Sequence, residues 1–180
     1  MSTTEHDDIV RRSFAGQTHL FRGHQALFAR RAQSPTAWIE PLEPDMIVLD
    51  VACGAGHAAE IAAPHVRQVV GIDLTPELIA LGAERLREAG VGNVLLQEGN
   101  AAALPFVDES FDLVMCRSSL HHMPDPQRAV AEMARVCRPG GRVVVADMVA
   151  ANTDVRDTFD EVHRALDPSH AGCLVEAELA

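Results

Sequence analysis

Two aspartates and a glycine-rich bend are the residues best placed to do chemistry. Asp50 lies inside the end of an apolar run, Met46 to Val51, that leads into Cys53-Gly54-Ala55-Gly56. Gly54 and Gly56 let backbone come close to a ligand where a Cβ would collide with it. Asp73 closes a second apolar run, Gln68 to Ile72, and a carboxylate there can accept hydrogen bonds from both hydroxyls of a ribose. Gly54-Ala55-Gly56-His57-Ala58-Ala59 also fits the dinucleotide pattern G-x-G-x-x-A. Without a ligand it is a tight strand–helix turn, and Asp73 would then cap the next helix, although Thr75 already offers a cap.

A nicotinamide cofactor and S-adenosylmethionine both contain that ribose, so Asp73 does not separate them. Asp50 does. A dinucleotide site must accept two phosphates, which an acid at Asp50 would repel, whereas a sulfonium and an ammonium would be attracted and the acid would also anchor the loop. His121 and His122 follow a fourth apolar run at the mouth of the same region, where one could take a proton from a nucleophile. The alternative is that they pack and cap the Pro124–Pro126 turn; adjacent residues usually face different ways, so at most one is expected to point inward. The histidines show no H-E-x-x-H or comparable spacing, so no metal site is expected.

The elements that must position these residues alternate. Strands are expected at Met46–Val51, Gln68–Ile72, Val94–Gln97, Phe111–Cys116 and Arg142–Met148. Helices are expected from His57 to about Ala63, from Pro76 to a stop at Gly90, and over Pro126–Cys137, with Pro139-Gly140-Gly141 as a turn. Such alternation implies an α/β fold with a doubly wound, mostly parallel sheet. Residues 6 to 33 read as helical, and Asn152 could cap a last helix to about Leu166. The chain is expected to be one domain over 1–180, with N-terminal helices in 1–40, the core in 45–150, and a C-terminal helix and tail in 151–180.

Several stretches together resemble a known family. Val48-Leu49-Asp50-Val51-Ala52-Cys53-Gly54-Ala55-Gly56 is similar to motif I of class I S-adenosylmethionine-dependent methyltransferases, and Gly71-Ile72-Asp73 to the second motif. Gly99-Asn100-Ala101-Ala102-Ala103-Leu104-Pro105-Phe106 with Asp108 and Ser110-Phe111-Asp112, then Leu120-His121-His122 with Asp125-Pro126, then Arg138-Pro139-Gly140-Gly141-Arg142, complete the ordered set. The set resembles the subgroup of quinone-biosynthesis methyltransferases and their small-molecule relatives, over about residues 40 to 150. The resemblance implies that Cys53 to Gly56 hold the methionine part of the cofactor, that Asp73 binds the ribose and that Leu74 packs on adenine. It also implies that Asn100 and Ala101 read the adenine edge and that Arg117 lies beside the methionine end. His121 is the better candidate base. The product would be S-adenosylhomocysteine. Two positions depart from the pattern: Asn100 stands where the family usually has aspartate, and Ala52 where it has the first glycine, which is tolerable if φ there stays negative.

Composition bounds the function. The chain carries a net charge of −11, and all 15 basic residues are arginine. Nucleic acid is therefore a poor partner, and lysine chemistry is impossible. The chain contains neither tyrosine nor lysine, so it has no Tyr–Lys pair; a nicotinamide-dependent oxidoreductase without one, and, as a different class, a catalytically silent cofactor-binding module, are the alternatives. An Asn/Asp-Pro-Pro-aromatic signature of amino-base methylases is absent after strand four, where Arg117-Ser118-Ser119-Leu120 stands. Scattered cysteines, a polar start and no apolar run of membrane-spanning length suggest a cytoplasmic protein. The expected partner is a small-molecule methyl acceptor, with Arg22, His24, Arg30 and Arg31 candidates to meet an anionic one or simply a solvated helix face. Only about 30 residues follow strand five, too few for the antiparallel hairpin that ends the family's sheet. The fifth strand would be an apolar edge, so the chain is expected to be a fragment, to be covered by a partner as in a homodimer, or to pair its own tail from Cys173 onward there.

Overall fold

The computed structural model describes residues 3–21, 35–175 and 178. Five strands form the central sheet: β1 (Ile47–Val51), β2 (Gln68–Asp73), β3 (Val94–Glu98), β4 (Phe111–Arg117) and β5 (Cys137–Ala146). They run parallel in the order β3-β2-β1-β4-β5. The flanking helices are α1 (Thr3–Gly16), α2 (His57–Ala62), α3 (Pro76–Glu88), α4 (Pro126–Val136) and α5 (Thr153–Leu166). Two short strands, β6 (Val149–Ala150) and β7 (Leu174–Val175), make a separate parallel pair.

The apolar strands read as they do because both faces are covered. Leu49, Val51, Val114 and Cys116 join one cluster with Ala129, Met133 and Val136 of α4. Their chain neighbours Val48, Leu113 and Met115 join a second cluster with Ala59 and Ala62 of α2. This period-two division puts a helix on each side of β1 and β4, the doubly wound arrangement expected from the sequence. The order reverses direction between β1 and β4, so the crevice beyond their carboxyl ends is where this fold binds ligands.

Caps end the helices as chemistry dictates. Asp125 accepts from the Arg128 N–H at 3.0 Å, with Pro126 at the first helical position. Asn152 accepts from the Asp154 and Val155 N–H groups at 3.0 and 3.1 Å. Gly90 ends the run after α3 with φ +71°.

Four expectations are corrected. The N-terminal helix is Thr3–Gly16 with a 3-10 turn at Thr18–Phe21, not a helix through residue 33; the rest of that stretch, with Arg22, His24, Arg30 and Arg31, lies outside the described residues. Thr75 occupies the N-cap position of α3 without a capping hydrogen bond, and its buried Oγ1 has no partner. Pro139-Gly140-Gly141 is not a separate turn: the segment belongs to β5, where the register against β4 shifts between Phe111 and Leu113. A Cβ on Gly141 would meet the Asp112 carbonyl at 2.8 Å, so the bare residue lets the two strands close despite the irregularity. The tail does not pair with β5, because Leu174–Val175 pairs with β6. Among the described residues the outer side of β5 has no strand neighbour, with Val143 and Val145 each 37% exposed.

Candidate functional site

The crevice is built from the loops that leave β1 to β5. After β1 the chain makes a bend whose residues Ala52, Gly54 and Gly56 have φ of +56°, +55° and +73°. The Ala52 value overturns the expectation of a negative φ; an L side chain sits here in the left-handed region, which costs about 1–2 kcal/mol relative to the right-handed one. The bend is pinned from two directions. Asp73 Oδ2 accepts from the Gly54 N–H at 2.7 Å and its Oδ1 from the Thr75 N–H at 2.8 Å. From α3, Arg85 donates through Nη2 to the Ala55 carbonyl at 2.9 Å and pairs with Glu60. Gly82 permits that approach, since a Cβ there would lie 2.8 Å from the Ala55 oxygen.

Asp50 is fully buried and accepts from the Ala59 N–H at 3.1 Å, tying the end of β1 to the first turn of α2. Burial, helped by the nearby Asp73 charge, pushes its carboxyl up to about 7 against the Ala59 hydrogen bond and the Arg117 charge. Burial likewise raises Asp73 above its usual range, although backbone donors at Thr75 and Gly54 oppose the shift. The Cys53 thiol is also raised, first by burial and then by the two aspartates. A cationic ligand in this crevice would relieve all three groups, because burial is what first disfavours negative charge on each.

Leu74, Asn100 and Ala101 are half-buried beside Asp73. Asn100 is already engaged: Oδ1 accepts from the Ala102 N–H at 2.8 Å and Nδ2 donates to Asp7 of α1 at 3.1 Å. Helix α1 reaches the neighbouring position too, with Arg11 Nε donating to the Leu74 carbonyl at 3.1 Å. Arg117, at the end of β4, sits over the Trp38 ring at 5.8 Å.

Beyond β4 a 3-10 turn, Leu120–His122, carries the two histidines. The rings lie side by side, with centroids 4.1 Å apart, and do not point to opposite sides. His121 is 7% exposed, and its Nδ1 meets Asp147 Oδ1 at 2.5 Å. Asp147 also accepts from the Ser119, Leu120 and Met148 N–H groups at 2.9, 2.6 and 2.7 Å. Burial alone would raise Asp147, but the hydrogen bonds from His121 and the backbone outweigh it and hold the carboxyl below its usual range. With Nδ1–H given to the carboxylate, His121 keeps its Nε2 lone pair as a proton acceptor. His122 is pushed down to about 4, by burial and by His121; it contacts Ser169 through Nδ1 and stacks edge-on against Phe14. Its carbonyl accepts from His6 at 2.8 Å, and the His121 carbonyl accepts from Ala171 and Gly172 at 2.7 and 3.2 Å.

The structure therefore gathers Asp50, Cys53, Gly54, Gly56, Asp73, Leu74, Asn100, Ala101, Arg117 and His121 around the carboxyl ends of β1 to β4. Asp147, Arg85, His6 and Asp7 escaped the sequence reading. Asp147 carries a signal that could have found it, an acid closing a strand as Asp50 and Asp73 do. The other three carry no local signal.

A family described as "Methyltransferase domain" matches residues 49–145. The chain is similar to the uncharacterized methyltransferase YcgJ of Bacillus subtilis (strain 168), 42% identical over 124 residues, covering 68% of this chain and 49% of the relative. The crystal structure of YcgJ superimposes with a TM-score of 0.75 at 37% identity, over 77% of this chain and 59% of that one. Methyltransferase GfsG of Streptomyces halstedii is 39% identical over 121 residues, covering 66% of this chain and 42% of the relative. Demethylmenaquinone methyltransferase of Listeria welshimeri is 37% identical over 108 residues, covering 58% and 46%. The chain thus spans about half the length of the curated relatives it matches.

Proposed function

The chain belongs to the methyltransferase-domain family, the class I S-adenosylmethionine-dependent methyltransferases, and from that premise we propose that it passes the sulfonium methyl group to a small-molecule acceptor. The observation that carries this reading is the Asp73 bridge: one carboxylate, at the end of β2, holds the glycine bend after β1 by the Gly54 N–H at 2.7 Å. Ribose recognition and the shape of the methionine pocket are thereby set by the same side chain.

In this reading the Cys53–Gly56 bend receives the methionine part, Asp73 takes the ribose hydroxyls, and Leu74, Asn100 and Ala101 flank the adenine. Arg117 stands near the methionine end, and Asp50, tied to α2 through the Ala59 N–H, binds the cofactor's far end away from the sulfur. Bound S-adenosylmethionine would supply the methyl group by in-line displacement at its sulfonium to an O, N, S or carbon nucleophile, with S-adenosylhomocysteine as the product. The acceptor's proton passes to His121 Nε2, with Asp147 orienting the ring and stabilising the imidazolium. Because transfer neutralises the cation, carboxylates in contact with the sulfur would favour the reactant. The positions of Asp50 and Asp73, engaged with backbone at the loop ends, suit binding without that penalty.

The acceptor is read as a small molecule and not nucleic acid, with the cytoplasm as the place of action and a homodimer as one way to cover β5. The Listeria relative is named for demethylmenaquinone, so quinones and their reduced, hydroxylated forms are the first acceptors to offer. Calorimetry with S-adenosylhomocysteine tests the site: Asp73→Ala should remove tight binding while leaving the circular dichroism spectrum unchanged, and unaltered affinity would refute the assignment. With a working acceptor, His121→Asn and Asp147→Asn should each lower kcat by about 10²–10⁴-fold with little effect on cofactor affinity. Full activity in His121→Asn would remove the proton-transfer step.

A further inference from the structure

Behind the two-histidine turn lies a second cluster that methyl transfer does not use. Asp160 of α5, His170 of the following loop and Cys173 just before β7 bring one carboxylate oxygen, one imidazole nitrogen and one thiol within 4.8 Å of one another. All three are buried, at 6%, 3% and 4% exposure. His170 Nε2 lies 2.8 Å from Asp160 Oδ1 and 3.9 Å from Cys173 Sγ. Ala150 and Val175, with Met148 and Phe159 beside them, pack in one apolar cluster with Cys173. Asp160 Oδ1 also accepts from the Cys173 N–H at 2.9 Å, so one carboxylate draws the imidazole and the cysteine together, while His170 Nδ1 is buried with no hydrogen-bond partner.

We propose that Asp160, His170 and Cys173 bind one divalent cation of the zinc class. Metal–ligand bonds of about 2.0–2.3 Å in a tetrahedron separate the donors by about 3.3–3.7 Å, and the two distances above straddle that range. A thiolate with an imidazole and a carboxylate selects zinc, or cobalt as its spectroscopic substitute, over magnesium or calcium. On binding, Cys173 loses its thiol proton to solvent, and His170 carries its proton on Nδ1 so that the Nε2 lone pair faces the metal. Two anionic ligands then balance the dication, and Arg164 Nη2 stays 3.7 Å from the second Asp160 oxygen at the edge of the site. The fourth position is left for water.

The placement gives the ion a purpose. Between the ligands His170 and Cys173, the Ala171 and Gly172 N–H groups hold the His121 carbonyl at 2.7 and 3.2 Å. A cation clasping this segment to α5 fixes the backbone of the turn that carries His121. The ligand order D-x9-H-x2-C is none of the familiar zinc spacings, which is why the sequence alone gave no sign of it.

The test needs no acceptor and is independent of the cofactor reading. The full chain is stripped with chelator and titrated with zinc, followed by calorimetry, elemental analysis and thermal unfolding. One equivalent per chain and a raised midpoint are expected, with cobalt(II) giving thiolate-to-cobalt charge-transfer absorption. Cys173→Ser should abolish that absorption and weaken zinc binding by at least about tenfold. If Cys173→Ser fails to fold, the wild-type cobalt spectrum decides alone. Absence of the charge-transfer band, a stoichiometry well below one, or zinc affinity unchanged in a folded Cys173→Ser variant would each overturn the site.

Discussion

Single side chains set the electrostatics and the strain of the crevice, and two of them make sharp predictions. Ala52 holds a left-handed backbone that glycine adopts freely. Ala52→Gly relieves that strain and gives back part of it as unfolded-state entropy, so unfolding should become harder by about 0.5–1 kcal/mol in denaturant titration. Asp50 has its carboxyl raised by burial to about 7 from 3.8. The empty protein therefore binds the extra proton only when folded, and its contribution to stability, full below about pH 4, is lost as pH climbs through 7. A cationic cofactor favours the carboxylate. Its affinity should rise with pH between about 5 and 7, with a limiting slope of tenfold per unit. Calorimetry in buffers of different ionisation heat should show up to one proton released, and Asp50→Asn should abolish both effects. Asp50 and Asp73 were legible in the sequence because each closes its own strand beside a local motif. Asp147 was not, because three of its partners (Ser119, Leu120 and His121) come from the loop after β4, and only parallel pairing with β5 brings them together.

Elements explain what residues leave unexplained. The asparagine at position 100 follows from α1, whose Asp7 accepts the Asn100 amide at 3.1 Å. An aspartate there would set two carboxylates against each other. Asn100→Asp should weaken the docking of α1, seen as faster proteolysis of the N-terminal segment and looser cofactor binding. Adding Asp7→Asn should restore both, because the pair is then reversed in polarity; two independent losses that simply add would show the contact to be incidental. The five strands and the helices between them were legible from apolar runs and glycine or proline boundaries. The N-terminal helix was not, since Phe14, Leu20 and Phe21 keep a helical rhythm past Gly16 although the chain turns there. Pro139-Gly140-Gly141 has the composition of a turn, yet its pairing with β4 and the ion pair of Arg138 with Asp112 at 2.7 Å keep it in the sheet.

At the scale of the molecule, charge and connectivity matter most. With −11 overall, the surface should show no affinity for duplex DNA or RNA beyond the weakest non-specific binding, roughly 10⁻⁴ M at physiological salt, in a gel-shift titration. Retardation at low micromolar concentration would contradict the small-molecule reading. No helix among the described residues is long and apolar enough to cross a membrane. The overall architecture was the most legible feature of all, because it repeats one strand–helix rule. What the tail does was not, because β6 and β7 are two residues each and their pairing joins positions far apart in the chain. One consequence concerns synthesis. The turn at His121 is braced by His6 from one end of the chain and by Ala171 and Gly172 from the other. A growing polypeptide can lay down its sheet strand by strand, but that brace closes only after residue 172 has left the ribosome. The turn at His121 therefore matures after the sheet, and a nascent chain that has yet to release residue 172 lacks half of its brace.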